Sequence, residues 1–255
     1  MIRKGPGLPW ILLALWIFSG PGPASAAAAP PAREVLQKMD DLYRGQTSRG
    51  EIEMTVETPD WKRTLDLKVW SEGMDKTFVV IRSPKKDAGI ATLRVGRDMW
   101  NFFPRINKVL QVPPSMMMGS WMGSDFTNDD LVKESSLLKD YQARYVEGKG
   151  QAGTRTLELT PKAQTATVWA KIRMTFRTAN LLPVEEAYYD GQGKEVRVLK
   201  FSSVQKVGDR LIPMEMELDP LTKPGNRTKL LYRSLEFDLP LDASVFSLQN
   251  LRRER

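Results

Sequence analysis

The sequence predicts a mainly β domain of the α+β class, with about ten antiparallel strands and two short helices. Most of the chain alternates apolar and polar residues with a period of two, which is typical of strands that bury one face. Turn signals rich in glycine separate these segments. Because so many strands carry an apolar face and so few helices can cover it, the sheet must curl into a barrel or half-barrel.

One amphipathic helix precedes the strands. Between Glu34 and Tyr43 the apolar residues recur at helical spacing, and Gly45 follows as a typical stop signal. These features predict a helix of about three turns, one face of which must be buried.

The predicted strands are short and regularly punctuated. Turns are indicated at residues 96–98, 190–193 and 208–210, and Pro213 indicates an edge or the start of a strand. A short helical turn is predicted before the C-terminal tail, at residues 242–246. The strand pattern covers residues 52–56, 65–69, 78–81, 91–95, 100–102, 109–112, 157–159, 168–176, 212–218 and 230–237.

The N-terminus is typical of a secretory signal peptide. Arg3 and Lys4 precede a short apolar run, and a small-residue cleavage site ends at Ala26. We therefore expect a signal peptide at residues 1–26, an Ala/Pro linker at 27–32 and a single domain at 33–255. The chain has no cysteine, so we expect no lipid attachment by a lipobox and no disulfide. The exported domain must fold on its hydrophobic core alone.

The charge of the chain is moderately basic. Removal of Arg3 and Lys4 with the signal peptide takes the formal charge from +7 to +5. The basic residues are spread along the chain and form no stripe with aromatic residues, which argues against a nucleic-acid partner. The excess is compatible with anionic lipid head groups, and also with an ordinary solvated surface.

The composition excludes several classes of catalytic site. Without histidine or cysteine the chain has no Ser-His-Asp or Cys-His nucleophile and no zinc site built on those ligands. Asp129 and Asp130 are interpreted as charges at a helix N-terminus. We predict no enzyme activity, no cofactor and no metal. The paired acids are assigned to an outward, solvated sheet face: Glu51 with Glu53, Glu185 with Glu186, and Glu215 with Glu217.

Residues 112–131 (VPPSMMMGSWMGSDFTNDDL) form the most unusual segment. Two prolines and two glycines prevent one regular element, and four methionines make it apolar and adaptable. The segment is either a pliable lid for varied apolar ligands or a loop that packs into the protein's own core. Thr127 and Asp130 have the spacing of a helix N-cap and an acid three residues later, which predicts a short helix from Asn128.

Two segments of the chain resemble the LolA-like outer-membrane lipoprotein-sorting protein family. The resemblance rests on residues 96–105 (GRDMWNFFPR) and above all on residues 122–131 (MGSDFTNDDL). It extends to the end of the first helix at Tyr43, to residues 208–213 and to residues 245–251. The chain is similar to the broader branch of the family and not to LolA itself.

This resemblance implies an unclosed antiparallel β half-barrel whose short helices cover an apolar cavity for acyl chains. It implies a periplasmic carrier that sorts lipoproteins or lipids toward the outer membrane. The expected partners are lipoprotein acyl chains or phospholipid, and an inner-membrane transporter or acceptor protein, and we expect a monomer. A non-enzymatic lipid-sensing adaptor or regulator for a transporter or envelope signalling protein remains an alternative.

The candidate ligand-binding residues are large apolar side chains of the central segment and of the strand before it. Taken alone, Trp100 and Phe102 fit an ordinary core position better than a ligand site, because aromatic residues are usually buried. Ser124, Asp125, Thr127 and Asp130 are interpreted as residues that position the loop. The predicted cavity or lid residues are Trp100, Phe102, Met116, Met117, Met118, Trp121, Met122 and Phe126.

Overall fold

The computed structural model describes Met1 and residues 29–43, 45–132, 137–165 and 167–253. The predicted signal peptide therefore lies almost wholly outside the described residues. The helices are α1 (Ala32–Asp41), α2 (Asn128–Val132), α3 (Leu137–Asp140) and α4 (Leu248–Leu251). The strands are β1 (Thr47–Glu57), β2 (Lys62–Glu72), β3 (Lys76–Ser83), β4 (Ala91–Val95), β5 (Asp98–Phe103), β6 (Lys108–Gln111), β7 (Tyr141–Val146), β8 (Thr154–Pro161), β9 (Lys171–Arg177), β10 (Pro183–Tyr189), β11 (Glu195–Val207), β12 (Arg210–Pro220) and β13 (Arg227–Phe237).

All thirteen strands form one antiparallel sheet that is not closed. The chain starts in the middle of this sheet, runs strand by strand from β1 to the edge at β6, and resumes at the opposite edge with β7. It then returns to the middle, where β13 pairs with β1. Residues 112–140 connect the two edges. This segment, which we call the crossing segment, must therefore run across the sheet, and this explains why it is long and irregular.

The mainly β prediction is confirmed, but the described residues form thirteen strands and not ten. The ten predicted segments all lie in or overlap strands, whereas β7, β10 and β11 were missed. β10 starts with a proline and carries two adjacent glutamates, and the second half of β11 is exposed from Ser202 to Lys206. A strand with little buried apolar surface has no clear alternation, so the pattern does not reveal it.

The helix predictions are largely confirmed. α1 begins at Ala32, two residues before its predicted start, and α2 begins at Asn128 as predicted. A 3₁₀ turn at Ala243–Phe246 matches the predicted C-terminal turn. Pro213 lies inside β12. At this position β12 is paired with β11 only, because its pairing with β13 begins at Glu215. No helix in the described part of the chain is long and apolar enough to cross a membrane.

Apolar side chains pack on both faces of the sheet. On one face, Met54, Leu67 and Val79 belong to a cluster on β1–β3, while a second cluster on β7–β11 packs against α1. On the other face, Phe78 and Val80 belong to a third cluster, which the C-terminal turn and α4 cover. Residues 78 and 80 alternate with 79 and 81 along β3, so this strand is buried on both sides.

Candidate functional site

A cavity of about 350 Å³ lies between the sheet and the crossing segment. Seven strands that are neighbours in the sheet contribute side chains to its wall, so the sheet curves around it. Their order in the sheet is β3, β2, β1, β13, β12, β11 and β10. The volume falls within the range of small-molecule pockets, about 300–1,000 Å³. The wall is mainly apolar and includes Ile52, Met54, Leu67, Val69, Val79, Leu199, Phe201, Met216, Leu218 and Leu230.

The cover of the cavity comes from α1 and from the crossing segment. Met39 and Asp40 line it from α1, and Trp121 and Phe126 line it from the segment. The Trp121 ring is buried, and its Nε1 donates a hydrogen bond of 3.1 Å to Oγ1 of Thr92 on β4. Trp121 is thus held against the sheet by both packing and a directed bond.

Polar contacts hold the crossing segment down at several strands. The Asp125 N–H donates to Oγ1 of Thr228 on β13 at 3.0 Å, and this hydroxyl donates to the Asp125 carboxylate at 2.8 Å. The Arg63 guanidinium on β2 donates to the carbonyl of Met122. Ser124 Oγ, which is buried, donates to the Trp121 carbonyl at 2.7 Å and closes the turn between them.

The last part of the crossing segment forms α2 through a reciprocal cap. The Asp130 N–H donates to Thr127 Oγ1 at 3.1 Å, and the Thr127 N–H donates to the Asp130 carboxylate at 2.8 Å. This arrangement satisfies backbone donors that the first helical turn leaves without partners. The cap also directs the Asp130 carboxylate toward the cavity, where it meets Arg197.

Arg197 on β11 is the buried cation of the cavity wall. Its Nη1 and Nη2 donate to the two oxygens of Asp130 at 2.7 Å each, and its guanidinium lies 4.1 Å from the Tyr188 ring centre and 4.3 Å from that of Trp169. Burial disfavours the charge, but the bonds to Asp130 outweigh it, and the pKa of Arg197 is raised. The pair is thus charged and internally compensated.

Three tyrosines, Tyr43, Tyr188 and Tyr232, are also part of the wall. Burial, reinforced by the nearby Glu186, raises the pKa of Tyr188, whose hydroxyl donates to the Glu186 carboxylate. The rings of Tyr43 and Tyr232 are stacked with centres 5.4 Å apart, and burial raises the pKa of Tyr232 to about 12. These hydroxyls are neutral at physiological pH. Within the described ranges, no group of three or more acidic side chains is arranged to hold a metal ion.

Comparison with known proteins identifies the family and the fold. A family model described as "Uncharacterized protein" matches residues 73–253. The chain belongs to this family. Its fold is that of the LolA superfamily. No curated protein matches the chain by sequence.

Three solved structures show the LolA-like fold. A DUF1329 family protein from Desulfovibrio piger is 24% identical in sequence, and the two structures superimpose with a TM-score of 0.78. The match covers 86% of this chain and 97% of the D. piger chain. An outer membrane lipoprotein-sorting protein domain, so described, from Vibrio parahaemolyticus is 21% identical with a TM-score of 0.74, covering 87% and 98%. A LolA superfamily protein from Nitrosomonas europaea is 19% identical with a TM-score of 0.72, covering 87% and 100%.

The cavity brings together only some of the predicted ligand-binding residues. Trp121 and Phe126 line it. Met117 and Met122 are partly buried and pack against the cluster on β1–β3, beside the cavity. Met116 and Met118 are exposed, with 59% and 39% of their surface accessible. The methionines therefore do not form one continuous lining.

Trp100 and Phe102 lie on the opposite face of the sheet from the cavity. Both pack in the cluster under α4, and Phe102 is buried there. Met99, the neighbour of Trp100 in the sequence, points to the cavity side instead. The structure thus places Trp100 and Phe102 away from this cavity, in the packed position that their alternative interpretation as core residues describes. Strand alternation requires 100 and 102 to share a face but does not say which one.

The sequence interpretation missed the charged part of the cavity. Arg197 is absent from the predicted site residues and Glu186 is predicted on the solvated face, whereas both line the cavity. A signal for Arg197 existed, because it alternates with Leu199 and Phe201 and so shares their inward face. A cation at an apolar position of a strand indicates a buried partner, which here is Asp130.

Proposed function

We propose that this protein is a periplasmic, non-enzymatic carrier that binds acyl chains of lipoproteins or lipids in the cavity and takes part in their transport toward the outer membrane. The observation that carries the proposal is an apolar cavity enclosed by a curved sheet and covered by an anchored segment. The LolA fold supports the same role, since one structural neighbour is described as a lipoprotein-sorting domain.

The energetics of such a site favour acyl chains over polar ligands. Burial of apolar surface contributes about 0.8 kcal/mol per methylene, so ten methylenes contribute about 8 kcal/mol before the costs of association are subtracted. The charged groups in the wall already have partners, since Arg197 pairs with Asp130, Glu186 accepts a hydrogen bond from Tyr188, and Asp40 accepts one from the Leu137 N–H. An apolar chain can therefore enter without separating a charge from its partner.

A cavity-filling substitution tests this proposal. Met216 is partly buried and lines the cavity, so Met216→Trp should occupy the space that a ligand needs. We expect a folded variant whose affinity for a fluorescent fatty-acid probe is at least about ten-fold weaker, which corresponds to about 1.4 kcal/mol. Leu211→Trp, at an exposed position of the same strand, serves as the control.

The outcome is read from probe titration and thermal unfolding of the same preparations. A folded Met216→Trp protein with unaltered affinity would place the probe elsewhere and contradict the proposal. Displacement of the probe by phospholipid or by an acylated peptide then identifies the class of cargo.

A further inference from the structure

Two hairpins project together from one end of the sheet. Glu57 at the end of β1 pairs with both Lys62 of β2 and Arg227 of β13, so the β1–β2 and β12–β13 connections lie side by side. They touch, because a Cβ atom added at Gly225 would lie only 2.8 Å from Cγ of Pro59. We refer to residues 57–62 and 219–227 as the twin tip.

The twin tip extends beyond its neighbour in the sheet. β2 starts at Lys62, but its pairs with β3 begin only at Asp66, which faces Ser83. Within the sheet, the first residues of β2 therefore pair with β1 alone. On the other side, β11 pairs with β12 as far as Pro220, so only the β3 side of the tip lacks a neighbouring strand.

Large apolar side chains are exposed at this end of the sheet. Trp61 and Leu221, one on each hairpin, expose 45% and 47% of their surface. Ile106, which exposes 58%, lies in the β5–β6 connection at the same end. The cleft between the two hairpins is lined mainly by charged and polar residues and prolines. Trp61 and Leu221 belong to this lining too, so these apolar points lie among charged and polar neighbours and do not form a continuous apolar groove.

Cations without an acidic partner surround these points. Two of the three acids of the twin tip are neutralised by ion pairs: Glu57 pairs with Lys62 at 2.6 Å, and Asp219 pairs with Arg227 at 2.9 Å. The third acid is Asp60. Within the described residues, no ion pair is formed by five exposed cations of this end of the sheet: Lys85, Lys86, Arg105, Lys108 and Lys223. The surface therefore carries an excess of positive charge around its apolar points.

We propose that the twin tip docks this protein on the surface of an anionic phospholipid bilayer. Tryptophan is favoured at the boundary between head groups and acyl chains, and leucine contributes by inserting into it. Lysine and arginine close to the surface are attracted by anionic head groups within about one Debye length. Projecting apolar points inside a basic rim suit a bilayer, which is flat, fluid and negatively charged.

The proposal goes beyond the carrier function and does not depend on it. The twin tip lies outside the cavity, whose lining includes neither Trp61 nor Leu221. Docking and ligand binding can therefore fail separately. A protein that binds vesicles without binding an acyl probe, or the reverse, separates the two proposals.

Vesicle co-sedimentation of the mature protein tests the proposal. We expect binding to vesicles of phosphatidylglycerol and phosphatidylcholine that weakens with added salt, and much weaker binding to phosphatidylcholine alone. The double variant Trp61→Ser/Leu221→Ser should bind the anionic vesicles about ten-fold less, since two interfacial anchors are lost. The triple variant Lys85→Gln/Lys86→Gln/Lys223→Gln should bind less and lose much of the salt dependence.

The opposite end of the sheet offers matched controls. Val204 and Leu211, on the β11–β12 hairpin, expose 37% and 42% of their surface, and Lys206 beside them is also exposed. Val204→Ser/Leu211→Ser and Lys206→Gln should leave vesicle binding unchanged, and all variants should keep their affinity for the acyl probe. Equal loss in the tip and control variants, equal binding to both kinds of vesicle, or no binding of the unaltered protein would overturn the proposal.

Discussion

The guanidinium of Arg197 and the carboxylate of Asp130 form two hydrogen bonds of 2.7 Å, and both side chains are more than nine-tenths buried. The pair joins β11 to α2, so it fastens the end of the crossing segment to the sheet. Two parallel bonds between these planar groups give strong directional preference. The pair therefore defines where the cover of the cavity lies.

Removal of one member of this pair should be costly. Arg197→Met leaves a buried carboxylate without its partner, and we expect a loss of about 3–5 kcal/mol in the free energy of unfolding. Removal of both charges in Arg197→Met/Asp130→Leu should cost less than the sum of the two single variants. Urea unfolding of the three proteins measures the difference. Strict additivity would mean that the two side chains are not energetically coupled.

The methionines and the tryptophan of the crossing segment should differ in their contribution to stability. Met116 and Met118 are exposed, so changing each to serine should alter the free energy of unfolding by no more than about 0.5 kcal/mol. Trp121 is buried against the sheet, and Trp121→Ala should cost about 3–5 kcal/mol. Thermal and urea unfolding decide this. A large loss in the methionine variants would show that they belong to the core.

Phe102 and Phe126 should separate stability from ligand binding. Phe102 packs on the face opposite the cavity, so Phe102→Ala should cost about 3–5 kcal/mol and leave the probe affinity of the folded protein unchanged. Phe126 is only partly buried and lines the cavity, so Phe126→Ala should weaken probe binding with a smaller loss of stability. If Phe102→Ala alone weakened binding, the ligand would lie on the other face.

Glu158 should make stability depend on pH in the acid range. Its side chain is 6% exposed and contacts Arg173 at 3.0 Å, Lys171 at 3.6 Å and Arg144. Burial alone would raise the pKa of this carboxyl group, but the cations outweigh burial and the pKa lies below its usual value of 4.5. Its contribution to stability is thus complete above that value and is lost as the pH falls through the lowered pKa.

Glu158→Gln tests this dependence. The variant should be less stable than the unaltered protein at neutral pH, and the difference should shrink as the pH falls below 4.5 and through the lowered pKa, where the carboxylate itself takes up a proton. Urea unfolding over a series of pH values measures the effect. Lys149→Gln, which removes an exposed surface pair with Glu185, provides a control with little expected change. A constant difference between Glu158→Gln and the unaltered protein at all pH values would contradict the assignment.

Export should be visible at the N-terminus. If residues 1–26 are a signal peptide, the mature protein begins at Ala27 and is released by osmotic shock. Mass spectrometry of the released protein gives its N-terminus directly. Full-length chain in the membrane fraction would mean that the apolar run remains as an anchor.

The local pattern of the sequence determined much of the fold. Alternation along β1, β2 and β12 is a property of neighbouring residues, and burial of one face makes it visible. The start of α2 was also predictable, because Thr127 and Asp130 cap the helix within one turn. β7, β10 and β11 escaped prediction because their burial does not follow a simple alternation.

Only the tertiary structure decided where the site lies. Alternation says that Trp100 and Phe102 share a face, but β5 is buried on both faces, so the sequence could not say which face encloses the cavity. The contact between Asp130 and Arg197 joins residues that are 67 positions apart. It exists because β13 pairs with β1, which curls the two halves of the sheet around one cavity and leads the crossing segment over it. Alternation with Leu199 and Phe201 can indicate that Arg197 points inward, but which residue pairs with it depends on the fold of the whole chain.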